Sequence, residues 1–137
     1  MNNTTLTLTL EGRTYRIGAL NALQQFHVLR RLAPALATMG IGIAQLKDMR
    51  TSDDFIPLLA PLSGVAAAMS DEDANYILMT CLSAVHRLED DGRAAPMVTQ
   101  SQLVYQDIDL PQMLRLTFEV LRHNLAGFMK GLGGLTT

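Results

Sequence analysis

The amino-acid sequence predicts a mainly helical α+β protein in which an N-terminal β-hairpin packs on a bundle of four to five helices. Residues 4–10 (TTLTLTL) alternate leucine with threonine, which is typical of a half-buried strand. Several later segments repeat apolar residues at helical spacing, and two of them begin with a capping pair. We therefore expect one domain over residues 1–137, with the hairpin at 1–18, the helices at 21–127 and a flexible glycine-rich tail at 128–137.

The hairpin prediction rests on one apolar strand face and a short turn. Leu6, Leu8 and Leu10 share one face of the first strand. Residues 11–13 (EGR) form the turn, and residues 14–17 (TYRI) resume as the return strand. A two-stranded hairpin is only marginally stable by itself, so we expect it to lie against the helices.

The first helix is predicted to begin near Asn21, because Gln24 three residues later completes a capping box. Its predicted core arc contains Phe26, Leu29, Leu32, Ala33, Leu36 and Ala37. Its predicted solvent edge contains Gln24, His27, Arg30 and Arg31. Pro34 removes one hydrogen bond of the helix, so we expect a kink or a division there.

Two further helices are predicted in the middle of the chain. The second follows Ser52 or Asp53, is expected to break at Pro61, and has an apolar face made of Phe55, Leu58, Leu59, Leu62, Val65 and Ala66. The third is capped by Ser70 with Asp73. Its predicted apolar face contains Ala74, Ile77, Leu78, Cys81, Leu82, Val85 and Leu88.

Residues 89–108 show no helical period, although 97–105 (MVTQSQLVY) are compatible with a short extended segment. The final helix is predicted to begin at Asp109 and to run to about Gly127. Its core stripe is Leu114, Phe118, Leu121, Leu125 and Phe128, and its charged stripe is Arg115, Glu119, Arg122 and His123. Met113, Leu116 and Val120 lie outside the core stripe, which leaves more apolar surface than one small core needs.

The composition argues against a nucleic-acid or membrane protein. The net charge is −2 and the isoelectric point is about 5.8, so no long-range attraction to anionic partners is expected. The uncharged stretches 32–46 and 55–69 are each 15 residues long, shorter than the roughly 20 that a spanning helix needs. The single cysteine, Cys81, cannot form an internal disulfide, which favours a reducing cytoplasm.

The sequence offers no clear catalytic or metal site. His27, His86 and His123 stand on three different predicted helices, and none has a second histidine three or four residues away. We interpret them as surface residues and expect no metal. Cys81 has an apolar setting without a basic neighbour, which favours a buried structural thiol over a nucleophile. Without a phosphate-binding, dinucleotide-binding or serine-hydrolase motif, we predict no enzyme activity and no cofactor.

Two segments of the sequence resemble a known family. The run TLTLEGRTYRIGALNALQQFHVLRRLAP and the C-terminal LRLTFEVLRHNLAGF are similar to phage tail assembly chaperones of tailed bacteriophages and prophages. The resemblance implies a non-enzymatic role in the cytoplasm of the bacterial host, in which the long helical tape measure protein is coated before the tail tube polymerises. It implies the tape measure protein as a partner and allows the major tail tube protein as a second one.

Two questions stay open at this point. The uncharged run 55–69 is either a central buried helix or part of a groove for a partner helix. The candidate contact residues are Phe55, Leu58, Leu59, Leu62, Met113, Leu116, Val120, Arg30 and Arg31. The alternative function is a phage structural or adaptor protein that is retained in the particle as a tail or head-completion component. A homo-oligomer is compatible with the sequence.

Overall fold

Strands and helices are interleaved along the chain. The computed structural model describes residues 6–38, 40, 63–100, 102–105 and 107–135, and side chains are described up to Asn124. The elements are β1 (Leu6–Leu10), β2 (Arg13–Ile17), α1 (Ala22–Thr38), α2 (Asp71–Leu82), β3 (Val85–Leu88), β4 (Ala94–Pro96), β5 (Val98–Thr99), β6 (Gln102–Leu103) and α3 (Leu110–Leu135). Residues 63–67 are also helical.

The predicted hairpin is confirmed and forms half of a larger sheet. β1 and β2 pair antiparallel, with Leu6 opposite Ile17 and Leu10 opposite Arg13. Glu11 and Gly12 connect them with φ values of 50° and 80°, the left-handed backbone of a two-residue hairpin turn. β3 and β4 continue the sheet in the order β1-β2-β3-β4, and β5 and β6 form a separate pair. The short extended segment expected within 97–105 is therefore present as β5 and β6.

The third predicted helix ends earlier than its apolar pattern suggested. Ser70 caps α2 as predicted, because its hydroxyl accepts the Asp73 N–H at 3.1 Å. The helix stops at Leu82, however, and the following residues form β3, so the prediction of a helix through Val85 and Leu88 is wrong. The reason lies in tertiary structure: β3 pairs with β2 and β4, and such pairing overrides a helical period.

The first helix is confirmed, but its buried face differs from the predicted one. Asn21 and Gln24 exchange side-chain-to-backbone hydrogen bonds of 2.8 and 3.0 Å, which is the predicted capping box. Pro34 lies within α1 and the helix continues to Thr38, so the proline does not divide it. The residues that are fully buried are Val28, Leu32, Ala35 and Leu36. Phe26 and Ala37, which were expected in the core, are exposed.

The last helix is longer and more completely buried than expected. Asp109 and Gln112 exchange hydrogen bonds at its start, at 2.9 and 3.3 Å, so the predicted cap is present. The helix runs to Leu135, beyond the expected end at Gly127, so most of the expected glycine-rich tail is helical. All residues from Arg115 to Leu121 are buried.

This continuous burial corrects two expectations for the last helix. Leu116 and Val120 are fully buried and contribute to the core, so they do not supply spare apolar surface. Arg115 and Glu119 were expected on a solvated stripe, but both are buried and form an ion pair at 3.3 Å. A helix that is buried on all sides needs partners for its polar groups, and this pair meets that need.

The fold class is therefore a mixture of strands and helices, with a sheet of four strands where a two-stranded hairpin was expected. The described residues do not confirm a bundle of four to five helices. Most of the second predicted helix, including Phe55, Leu58, Leu59 and Leu62, lies outside the described residues. Its last part, residues 63–67, is helical and places Val65 in the core.

Asn124 joins α3 to the connection between β2 and α1. Its Oδ1 accepts the Leu20 backbone N–H at 2.7 Å, and its Nδ2 donates to the Val120 carbonyl at 2.8 Å and the Gly18 carbonyl at 3.4 Å. The side chain is buried, so these backbone groups have no water as an alternative partner. The contact thus joins two segments that are more than 100 residues apart in the sequence.

We expect Asn124→Ala to lower the free energy of unfolding by about 2 kcal/mol, because it leaves the buried Leu20 N–H without an acceptor. Urea denaturation followed by circular dichroism measures this change. Ser83→Ala is the control, since the exposed Ser83 hydroxyl bonds only to the nearby Thr80 carbonyl and its loss is expected to cost less than about 0.5 kcal/mol. Equal effects of the two substitutions would contradict the assigned role of Asn124.

Candidate functional site

Two large apolar side chains project from α1 into solvent. Leu23 is 67% exposed and Phe26 is 58% exposed, although both are in regular helix. Arg30 follows Phe26 by one turn and is exposed as well. These three residues, at a spacing of three and then four, lie on one face of the helix, which we call the α1 face. Such a spacing suits the anchors of a second helix lying alongside.

The α1 face is basic as well as apolar. Ala22–Thr38 contains two arginines and one histidine and no acidic residue. The Arg30 Nε donates to His27 Nδ1 at 3.1 Å, and no carboxylate pairs with Arg30 within the described part of the chain. Its guanidinium is thus available to an acidic group on a partner.

The structure separates the two arginines that the sequence placed together as candidate contacts. Arg31 is half-buried and donates to Asp73 at 3.1 Å and to the His27 carbonyl at 3.2 Å. Its guanidinium also stacks on the Tyr76 ring, 4.0 Å from the centroid. Arg31 therefore joins α1 to α2, and Arg30 is the arginine that a partner could reach.

The other candidate contact residues lie elsewhere. Met113 is half-buried against the core, whereas Leu116 and Val120 are inaccessible in this conformation. Phe55, Leu58, Leu59 and Leu62 lie outside the described residues, so their role stays a prediction. Sequence reasoning missed Leu23 and placed Phe26 in the core, because a helical period alone does not tell which apolar arc faces inward.

A small apolar cavity of about 100 Å³ lies where the helices meet. Leu32 of α1, Ile77 of α2 and Phe118 of α3 contribute to its wall, together with Val65 and Met69. Thr117 is the polar residue of the lining, and its hydroxyl donates to the Met113 carbonyl at 2.8 Å. The cavity has the size of a few methyl groups, and the hydroxyl of its polar residue already donates to a backbone carbonyl. It therefore suits an apolar side chain better than a polar substrate.

A polar cluster centred on Arg87 connects the sheet to the segment before α3. Arg87 is buried, and its Nη2 donates to Asp107 Oδ1 at 3.1 Å and to the Tyr15 hydroxyl at 3.2 Å. Its guanidinium lies 3.8 Å from the centroid of the Tyr105 ring, and Arg13 pairs with the same Asp107 carboxylate. Sequence reasoning could not find this cluster, because its members are far apart in the chain.

The electrostatics of the cluster indicate a structural tie. The hydrogen bonds from Arg87 and Arg13 hold the pKa of Asp107 below its ordinary value. The hydrogen bond from the Tyr105 hydroxyl to Glu89 raises the pKa of Tyr105. Neither direction prepares a group for proton transfer near neutral pH, since the carboxylate stays charged and the phenol stays protonated.

The described residues contain no other centre with a recognisable chemistry. Cys81 is fully buried, and burial raises the pKa of its thiol to about 12, so it is unsuited to act as a nucleophile. Within the described ranges, no group of three or more histidine, cysteine or acidic side chains could hold a metal ion. His86, expected on a helix, lies on β3 opposite Arg16 and Pro96. No helix in the described part of the chain is long and apolar enough to cross a membrane.

We expect the Asp107 contacts to make stability dependent on acid pH. The pKa of Asp107 is lower in the folded chain, so its contribution is complete above the ordinary carboxyl pKa of 3.8 and is lost as the pH falls below it. Melting temperatures measured from pH 7 down to pH 2.5 should therefore fall less steeply below about pH 4 for Asp107→Asn than for the wild type. Asp90→Asn is the control, because Asp90 is exposed, whereas Asp91 is paired with Arg93. Parallel curves for wild type and Asp107→Asn would contradict the assignment.

Comparison with known proteins gives a match to a family model. A family model described as phage tail assembly chaperone protein, TAC, matches residues 11–136. No curated protein and no solved structure gives a significant match. The matched range includes the whole α1 face and all of the polar cluster. Since the match covers most of its length, this chain belongs to the phage tail assembly chaperone family.

Proposed function

We propose that this protein is a non-enzymatic chaperone that binds the tape measure protein during tail assembly in the host cytoplasm, and does so through the α1 face. The observation that carries the proposal is the exposure of Leu23 and Phe26 on consecutive turns of a regular helix. A helical partner that covers them would remove apolar surface from water, which is the main driving force for such docking. Membership of the family supports the general role.

The shape and charge of the α1 face favour a long amphipathic helix as the ligand. The residues at positions 23, 26 and 30 repeat at the spacing that a coiled-coil seam uses. Such a surface can contact any helix with an apolar stripe and does not require one particular side chain on the partner. Arg30 beside them favours a partner helix that carries glutamate or aspartate at the edge of its apolar stripe. The tape measure protein that the family resemblance implies is long and helical, and it would offer many such segments.

Two parts of the proposal extend beyond the α1 face. The residues Phe55, Leu58, Leu59 and Leu62 are retained as a second candidate contact, on the basis of their uncharged sequence alone. Recruitment of the major tail tube protein would be a further step, carried out while the tape measure protein is held. Both parts agree with an assembly factor that acts before the tail is complete.

We expect co-expression of this protein with the tape measure protein of its phage to increase the soluble yield of the latter and to give a complex on size-exclusion chromatography. The double variant Leu23→Ser/Phe26→Ser should bind at least tenfold more weakly, which corresponds to about 1.4 kcal/mol. Leu110→Ser is the matched control, because Leu110 is a similarly exposed leucine, at 61%, in the first turn of a different helix.

The outcomes test the proposed function separately from the assignment of the α1 face as the contact surface. An unchanged yield without any complex would overturn the proposed function. A complex that the double variant forms as well as the wild type would leave the function standing and move the contact away from the α1 face. Mass spectrometry of purified virions tests the alternative role, because a particle component would be present in stoichiometric amounts and an assembly chaperone would be scarce or absent.

A further inference from the structure

The four-stranded sheet has one protected edge and one unprotected edge. β4, at one edge, has three residues and ends at Pro96, which has no N–H to offer. β1, at the other edge, has five residues, no charge, no proline and no bulge in its register with β2. Natural proteins usually protect an edge strand with one of these devices, because an unpaired strand is a template for another. Within the described residues, β1 pairs with β2 only.

The hydrogen-bond phase of the sheet shows which backbone groups of β1 point outward. The Gly18 N–H donates to the Ala84 carbonyl at 2.8 Å. The backbone N–H and C=O groups of the even-numbered residues of β2 therefore point toward β3. The backbone groups of Tyr15 and Ile17 therefore point toward β1, where they form hydrogen bonds with the backbone groups of Leu8 and Leu6, respectively. It follows that the backbone N–H and C=O groups of Thr7 and Thr9 point away from the sheet.

The sequence of β1 is the same in both directions. Leu6–Leu10 reads LTLTL, so an antiparallel copy centred on Leu8 places leucine opposite leucine and threonine opposite threonine. In that register Thr7 of one copy lies opposite Thr9 of the other. Their outward backbone N–H and C=O groups form a hydrogen-bonded pair, which occurs once on each side of the axis. A two-fold axis requires a self-complementary surface of this kind.

There is also space beside the edge for the side chains of a second strand. A cavity of about 370 Å³ lies between β1 and the start of α3, with Leu8, Leu10, Pro111 and Arg115 in its wall. Leu8 and Leu10 are only half-buried. In the antiparallel register, Leu6 of a second copy lies opposite Leu10 on the same face of the sheet, where it would enter this cavity and cover both leucines.

We infer that two copies of this chain associate through β1, antiparallel about a two-fold axis at Leu8, to form one continuous eight-stranded sheet. The inference is independent of the α1 face and of the proposed function. The free edge could also take an extended segment of a different protein, but the palindromic sequence and the hydrogen-bond phase favour a second copy. A chain that stays monomeric on its own would overturn the inference.

Sedimentation over a range of concentrations tests the association. We expect a mass near twice the 15.0 kDa of one chain at high concentration, decreasing on dilution. Thr7→Lys/Thr9→Lys places like charges opposite each other across the axis and should give monomer. Thr7→Glu/Thr9→Lys places opposite charges there and should restore the dimer. Both threonines are exposed, so these changes leave the core intact, which circular dichroism checks.

Cysteine cross-linking tests the register. Leu8→Cys places two thiols opposite each other at the axis, in a non-hydrogen-bonded pair with a Cα separation of about 4.5 Å, close enough for a disulfide. Leu10→Cys is the matched control, because its two copies would be about 14 Å apart along the strands. The buried Cys81 does not interfere. A wild-type monomer at every concentration, a dimer that resists Thr7→Lys/Thr9→Lys, or equal cross-linking at both positions would each overturn the inference.

Discussion

The constraint on which the rest of the structure depends is the burial of residues 115–121 of α3 on all sides of the helix. Seven consecutive residues from Arg115 to Leu121 are hidden from solvent, which is possible only when other elements cover the whole circumference of the helix. The sheet contacts it through β2, and α2 packs along it. Because a central helix cannot place its charged residues in water, the buried pair of Arg115 and Glu119 is part of the core. Asn124 serves the same need at the next turns, where it satisfies backbone groups of the β2–α1 connection.

This arrangement explains where surface remains for binding. With α3 in the centre, α1 packs one face inward and exposes the opposite face, which carries Leu23 and Phe26. The inward face contains Val28, Leu32, Ala35 and Leu36. Arg31 fixes that orientation by reaching Asp73 and Tyr76 on α2. The exposed apolar surface is thus a consequence of how the helix is anchored, and its neighbour Arg30 is left with its charge facing outward. The proposed contact lies on a regular helix, so docking of a partner would cost little backbone conformational entropy.

Local signals in the sequence were sufficient for the elements that local interactions determine. The alternation of leucine and threonine predicted the hairpin. Two capping pairs, which begin at Asn21 and Ser70, and the cap residue Asp109 predicted the starts of three helices. Non-local pairing cannot be predicted from a local pattern: the apolar period of residues 85–88 predicts a helix, and only the partners β2 and β4 make this segment the strand β3. The candidate site was predictable in part, since Arg30 is exposed as expected. Leu116 and Val120 are buried because the final helix is central, and a pattern within one helix does not report how many neighbours that helix has.

The strand order also determines when this fold can close during synthesis. β2 can pair with its second neighbour, β3, only after Val85–Leu88 has been made. The same strand supplies Arg87, which donates hydrogen bonds to the Tyr15 hydroxyl and to Asp107. Leu8 and Leu10 share a cavity wall with Pro111 and Arg115 of α3, which is made about 100 residues later, and such long-range contacts slow folding. The uncharged leucine-threonine strand β1 therefore lacks part of its folded surroundings until these later segments have been made. A strand without its partners is a template for pairing with other chains until the sheet closes.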